Sequence, residues 1–367
     1  MSCLAENWPT WSVPLPLMEV SRFTRAEDTN DVAYFERIYY SKESPLTFCK
    51  AHVALATRSW PNWQDYLNHK EQETTQDDDD ATDVSDEHET TKYDATSVSD
   101  DLPTGGDITL LIIDPQNDFH PGGSLAIQSA GDDARRIATF IKTRTHDISR
   151  IVITLDSHQR IHIAHAIFWV NADGHHPPPF TIITKDDVET MKWRPKNPDN
   201  QKAADYYAQK LAEGGRFQIC IWPEHCIIGS PGHNVHSEIH EAVSNWAETH
   251  TKEVLFVWKG QNCRTEMYSA LRAEVPMSDD HRTHLNMGLI RTLRQSRRLF
   301  VCGQALSHCV NFTVRDLVEN YDESCLGTIT ILRDGTSPVP GFEADGECFL
   351  REMADKGVCI ANIVHDE

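Results

Sequence analysis

No run of about 18 apolar residues occurs in the 367-residue chain, and no basic cluster followed by an apolar segment opens it. Neither a membrane span nor a secretory signal is therefore expected. No two cysteines are spaced as CxxC, and the ten present are irregularly scattered, which does not describe a disulfide framework. A reducing, cytoplasmic compartment is the expected address, with most thiols buried and any reactive one exceptional. Positive charge is scarce as well. Lys and Arg total 34 against 56 Asp and Glu, a formal net charge of −22 that no basic run offsets. This argues against nucleic-acid phosphate as a partner and favours a small-molecule ligand.

With 39% hydrophobic residues the chain can bury one substantial core, but not along its whole length. Between Glu71 and Asp101 stand thirteen acidic residues and one lysine, interleaved with Ser and Thr. Such a segment cannot repay the entropy of ordering, so residues 71–105 are read as a disordered linker, with an acidic interaction tail as the alternative. Residues 1–70 carry scattered aromatics (Trp8, Trp11, Tyr39, Trp60 among them) without long periodicity. They are expected to form an arm of strands and short helices on the main domain or on a second subunit, with no legible function.

From residue 106 to 367 short apolar runs alternate with amphipathic stretches. Ile108 to Ile113, Arg150 to Leu155, Val254 to Trp258, Arg298 to Cys302, Thr328 to Leu332 and Val358 to Ile363 are short and β-branched, as buried strands are. Helical spacing falls between them at Asp132 to Thr145, Glu238 to His250, Met287 to Gln295 and Cys309 to Glu319. The alternation predicts an α/β domain: a doubly wound, mainly parallel sheet with helices on both faces. Ligands bind such sheets beyond the carboxyl ends of the strands, where Asp114, Asp156, Lys259 and the loop before Cys309 all fall.

Five motifs occur in order: Asp114-Pro115-Gln116-Asn117-Asp118-Phe119 with Gly123-Ser124-Leu125; Thr154-Leu155-Asp156-Ser157-His158; Trp222-Pro223-Glu224-His225-Cys226; Lys259-Gly260 with Tyr268-Ser269-Ala270; and Gly303 to Cys309. Together they resemble the nicotinamidases of the isochorismatase-like cysteine hydrolase superfamily, over roughly residues 107 to 365. The resemblance implies a Rossmann-like three-layer fold and a catalytic set of Cys309, Asp114 and Lys259. Cys309 would be the nucleophile, Asp114 the group that takes the thiol proton and later protonates departing ammonia, and Lys259 the partner that fixes its charge. It further implies a cis peptide at Gln304-Ala305, with the N–H groups of Ala305 and Cys309 as the oxyanion hole. Phe119 and Trp222 match positions that sandwich the substrate ring, and Tyr268 is a further pocket candidate. The chain reads Ala-Leu-Ser-His-Cys at 305–309 where many relatives carry Ala-Thr-Asp-x-Cys, a departure that touches turn hydrogen bonds rather than the triad.

The residues carry chemistry of their own. A thiol at a helix amino terminus is stabilised as thiolate by the dipole and by unpaired N–H groups. Asp156, His158, His162 and His225 offer one oxygen and three imidazoles, a set that suits a divalent metal, with zinc expected first and iron or manganese as alternatives. His165, three residues beyond His162, is the rival for the fourth place; His175, His176, His233 and His236 read as loop residues. Residues 166–218, with Phe168, Trp169 and the Pro177-Pro178-Pro179 run, form a long insertion between two halves of the metal set. It is expected to act as a lid, and its apolar content suggests a homo-oligomer. The expected function is a metal-dependent cysteine amidohydrolase, converting nicotinamide to nicotinate and ammonia in NAD recycling. The alternatives are another small amide, ureido or biuret-like, or a catalytically degenerate scaffold subunit; isochorismate hydrolysis ranks lower, since it does not require the cysteine.

Overall fold

The computed structural model describes residues 107–214 and 217–363. The arm expected over residues 1–70 and the linker expected over residues 71–105 lie outside the described residues.

Six strands form one parallel sheet: β1 (Ile108–Ile113), β2 (Ile148–Asp156), β7 (Leu255–Lys259), β8 (Arg298–Gly303), β9 (Ile329–Leu332) and β10 (Cys359–Ala361), in the order β10-β9-β8-β1-β2-β7. The intervening labels belong to short pairs in the insertion: β3 (Trp169–Val170) with β5 (Arg194–Pro195), and β4 (Ile182–Ile183) with β6 (Ile219–Cys220). Helices are numbered in chain order as α1 (Ala130–Thr143), α2 (Lys185–Glu189), α3 (Gln201–Gly214), α4 (Ser237–His250), α5 (Met287–Leu293), α6 (Asn311–Glu319) and α7 (Glu343–Asp355).

Side chains alternate across β1, and the two sets enter different cores. Ile108, Leu110 and Ile112 pack with Ile137, Ile141, Ile239 and Trp246 of α1 and α4, while Leu111 and Ile113 pack with Ile290, Val314, Leu317 and Phe349 of α5, α6 and α7. Burial on both faces explains why these strands are continuous apolar runs rather than alternating ones. The edge strand β7 differs: Leu255, Phe256 and Trp258 are 39%, 46% and 46% exposed. The chain winds from β1 outward through β2 to β7, then returns to β8 beside β1 and winds the other way. The crevice at that reversal opens between the ends of β1 and β8.

The insertion has a core of its own, in which Phe168, Trp169, Ile183, Val188, Tyr207 and Leu211 pack with Ile163, Val275 and Met277. Its aromatic residues Phe168 and Trp169 are therefore buried, at 2% and 0% exposure, and do not supply the exposed apolar surface on which the homo-oligomer was expected.

The ends of β1 and β8 approach so closely that Gly303, at φ +108°, has no room for a Cβ against the Ile113 backbone. The next residue's N–H bonds Ile113 O at 2.7 Å. Gly303→Ala adds a clash and a strained φ, and we expect it to lower unfolding free energy by about 3 kcal/mol or more in urea titrations.

His120 and His236 stack with centroids 4.3 Å apart, tying the loop after β1 to the start of α4. Burial lowers the His120 pKa to about 4; its bond to Gln116 O opposes this and the neighbouring His236 adds to it. The folded value lies below the unfolded one, so the fold excludes a proton that the unfolded chain binds. The stability this contributes is present above the unfolded pKa of about 6.5 and is lost as pH falls towards 4. We expect denaturation midpoints to show about 2 kcal/mol more loss between pH 7.5 and pH 5 in the wild type than in His120→Gln.

Candidate active site

Three strand ends bring three groups together. Asp114 follows β1 in the left-handed region (φ 43°), fully buried, with its N–H bonded to Thr154 O and Oγ1 at 3.2 and 3.0 Å. Its Oδ1 accepts from Thr154 Oγ1 at 2.6 Å. Lys259 ends β7, and its Nζ lies 3.1 Å from Asp114 Oδ2 and 2.9 Å from Asp156 Oδ1, and donates to Met267 O at 2.9 Å. Cys309 follows β8 in a wide π-helical turn, Leu306–Val310, that leads into α6, and its thiol feels the charges of Asp114 and Lys259. The Gln304–Ala305 peptide is cis. Gln304 is held by Asp133 Oδ2 at 2.8 Å and accepts from Ser337 N at 3.3 Å, so the turn is fixed from both sides.

Burial dominates the electrostatics. It raises the Asp114 carboxyl above the ordinary carboxylate range, with Lys259 opposing and Asp156 adding to the rise. Burial likewise pushes the Cys309 thiol well up; Lys259 favours the thiolate, while Asp114 and Asp156 oppose it. The helix-terminus field expected to lower this thiol is thus outweighed by desolvation and two carboxylates. For Lys259, burial acts downward but Asp114 and Asp156 more than offset it, so the ammonium persists.

Cys309 opens onto a cavity lined also by Asp156, Phe119, Leu125, Trp222, His225, Glu266, Tyr268, Ala305, His308 and Val339. Trp222 Nε1 donates to Tyr268 Oη at 3.1 Å, and the Phe119 ring meets His225 edge-on at 5.6 Å. Phe119, Trp222 and Tyr268 therefore share this cavity with Cys309 and Ala305. Both ends of the insertion touch its aromatic wall, Phe180 against Trp222 and Phe217 against Tyr268, at 6.0 and 4.9 Å.

The polar wall lies at the end of β2. Asp156 Oδ2 is 3.0 Å from His158 Nε2 and 3.3 Å from His225 Nε2. His162 and His165 complete a buried cluster in which their rings lie 4.2 and 5.2 Å from that of His158. His225 reaches it although the insertion intervenes, because short backbone bridges pair His158 with Ile227 and His165 with Trp222. The Nε2 atoms of His162 and His165 are buried without hydrogen-bond partners. Ring nitrogens cost free energy when orphaned in this way, and with Asp156 beside them the donor set fits a divalent cation. Salt-bridging to His158 and Lys259 holds Asp156 well below the usual carboxylate range even though burial acts against ionisation, so its oxygens are anionic.

Several participants escaped the sequence reading. Glu266 is buried, its Oε1 lies 3.9 Å from His158 Nε2, and its Oε2 has no partner. Gln116 clamps Asp156 by its backbone, donating to O and accepting from N, both at 2.7 Å. His308 lines the cavity beside the nucleophile. Only Gln116 and His308 lay inside recognised motifs; nothing local to Glu266 marks it. His233, read as a loop residue, sits in a short turn and bonds Ser157 Oγ at 2.8 Å.

Sheet order, switch-point crevice and the convergence of Cys309, Asp114 and Lys259 describe the class of three-layer α/β proteins with a site at the carboxyl ends of the strands. Within it the similarity is to nicotinamidases: the nicotinamidase of Escherichia coli K12 is 25% identical over 261 residues, which span 68% of this chain and 92% of that protein. Among solved structures, a nicotinamidase/pyrazinamidase of Acinetobacter baumanii is 22% identical, with 71% of this chain and 98% of that one covered at a TM-score of 0.49. The yeast nicotinamidase bound to nicotinaldehyde is also 22% identical, with 70% and 99% covered at a TM-score of 0.49. No protein-family model matches the chain.

Lys259 compensates two buried carboxylates, so Lys259→Met leaves Asp114 and Asp156 facing each other without a cation. We expect a stability loss of about 3–5 kcal/mol in denaturant titrations.

Proposed function

We propose that this chain is a metal-dependent cysteine amidohydrolase that converts nicotinamide to nicotinate and ammonia, as its nicotinamidase relatives suggest, and so serves NAD recycling. The observation that carries the reading is that Cys309, which lines a cavity walled by Phe119, Trp222 and Tyr268, is backed by the buried Asp114–Lys259 pair.

The chemistry follows from the proton inventory. Asp114, with its pKa raised by burial, accepts the Cys309 proton as sulfur attacks the carboxamide carbon of a ring stacked against the aromatic wall. The carbonyl oxygen becomes an oxyanion, for which the N–H groups of Ala305 and Cys309 are the donors. Collapse of the adduct breaks the C–N bond, Asp114 returns its proton to the leaving nitrogen, and ammonia departs from an acyl thioester. Water then attacks the thioester with Asp114 as base; the carboxylic acid leaves and the thiol is restored. Lys259 keeps Asp114 oriented and bears a constant charge throughout. A divalent ion, zinc in the first instance, would be held by Asp156, His158 and His225 with an imidazole from the His162 and His165 pair, and would supply Lewis acidity beside the ring. The insertion serves as a wall of this cavity through Phe180 and Phe217.

Ammonia release from nicotinamide by the purified chain, with and without added Zn, Fe or Mn, tests the reading. We expect metal-stimulated release that falls by at least about a thousandfold in Cys309→Ala. Turnover of a ureido compound with none of nicotinamide would move the substrate to that class, and the absence of any amide turnover would overturn the reading.

A further inference from the structure

Four imidazoles crowd the end of β2, and spacing alone does not say which of them are ligands. The rings of His158, His162, His165 and His225 lie 4.2 to 5.5 Å from their neighbours, and their donor atoms fall into two close groups that share His158: one with His162 and His165, the other with Asp156 and His225. The second nitrogen of each ring separates them. A neutral imidazole binds a cation through the nitrogen without a proton, and the partner of the other nitrogen decides which one that is.

His158 Nδ1 faces Gly260 O at 3.2 Å, His225 Nδ1 faces Pro223 O at 2.8 Å, and His165 Nδ1 faces Arg160 O at 3.2 Å. A carbonyl oxygen only accepts, so each of these Nδ1 atoms carries a proton, which leaves Nε2 as the nitrogen through which each ring would take a cation. His162 is reversed. Its Nδ1 accepts from the Ala164 N–H at 3.2 Å, and because an N–H only donates, the ring proton must sit on Nε2. His165 touches both His158 and His225, at 5.2 and 5.5 Å, whereas His162 touches His158 and His165, at 4.2 and 5.3 Å.

Resting on the metal-dependent reading above, we propose that the protein ligands are Asp156, His158, His165 and His225, and that His162 is a positioning residue that retains its Nε2 proton. The ligand spacing is then Asp-x-His-x6-His rather than Asp-x-His-x3-His. His162, fully buried against His158, orients that ring and presents its Nε2–H to the cluster. A donor cannot replace a ligand, so exchanging the two histidines is not conservative.

Metal affinity of the full chain, read by competition of Zn with a chromogenic chelator and by the visible spectrum of the Co-substituted protein, tests this without any turnover. His165→Asn should weaken Zn binding by about a hundredfold or more and alter the Co bands, whereas His162→Asn should stay within about threefold with the bands unchanged. Equal losses in both variants, or a loss confined to His162→Asn, would overturn the assignment. Because either substitution could disturb folding, the wild-type chain provides a second measurement. Long-range 1H–15N spectra of the Cd-113 form should show cadmium coupling at Nε2 of His158, His165 and His225, and a protonated Nε2 at His162; coupling at His162 overturns the proposal. A wild type that binds no metal yet hydrolyses nicotinamide through Cys309 would remove this assignment and leave the hydrolase. Metal binding as described without amide turnover would do the reverse.

Discussion

The buried ammonium of Lys259 is the interaction on which the site depends. Two carboxylates from different strands, Asp114 and Asp156, converge on it within 3.1 and 2.9 Å, and both are buried. Either acid alone would be costly in this interior, and the lysine alone costlier still. Together they form a chain of alternating charge that links the thiol side of the cavity to the imidazole side. Charge on one side is therefore felt on the other: Asp156 raises Asp114 and opposes ionisation of Cys309, although it touches neither as a hydrogen-bond partner. The thiol half and the imidazole half are one electrostatic unit.

Much of the fold was legible in the sequence because two-sided burial writes itself as uninterrupted apolar runs. Ile108–Ile113 appears with the bounds read from its residues, and the other five sheet strands fall within a few residues of expectation. Helix α7 was missed. Its apolar face is sparse and contains Gly346, where a Cβ would meet the Leu306 side chain at 3.1 Å. The insertion, read only as a long loop, holds its own helices and a core, since its apolar residues are spread too thinly along the chain to announce either.

Site legibility followed a different rule. Residues at strand ends could be read because strand order places them: Asp114, Asp156, Lys259 and the turn carrying Cys309 meet at the reversal of the sheet. Residues whose role depends on which atom faces which could not. Glu266 lies in a loop that bears no pattern, and the difference between His162 and His165 resides in single backbone contacts, Ala164 N–H against Arg160 O. The thiol is a similar case, because helix position suggests an acidic cysteine whereas depth of burial decides the opposite.

The bridges that join His158 to Ile227 and His165 to Trp222 close the neck of the insertion on itself. More than fifty residues leave the domain at Ala166 and return by Trp222, yet the exit and the return are already paired before the excursion begins. Such a closed neck decouples length from geometry. The excursion can lengthen, shorten or be exchanged for another compact piece with little movement of the imidazoles, which makes this the place where the chain can acquire a differently shaped cavity while keeping the same reacting groups.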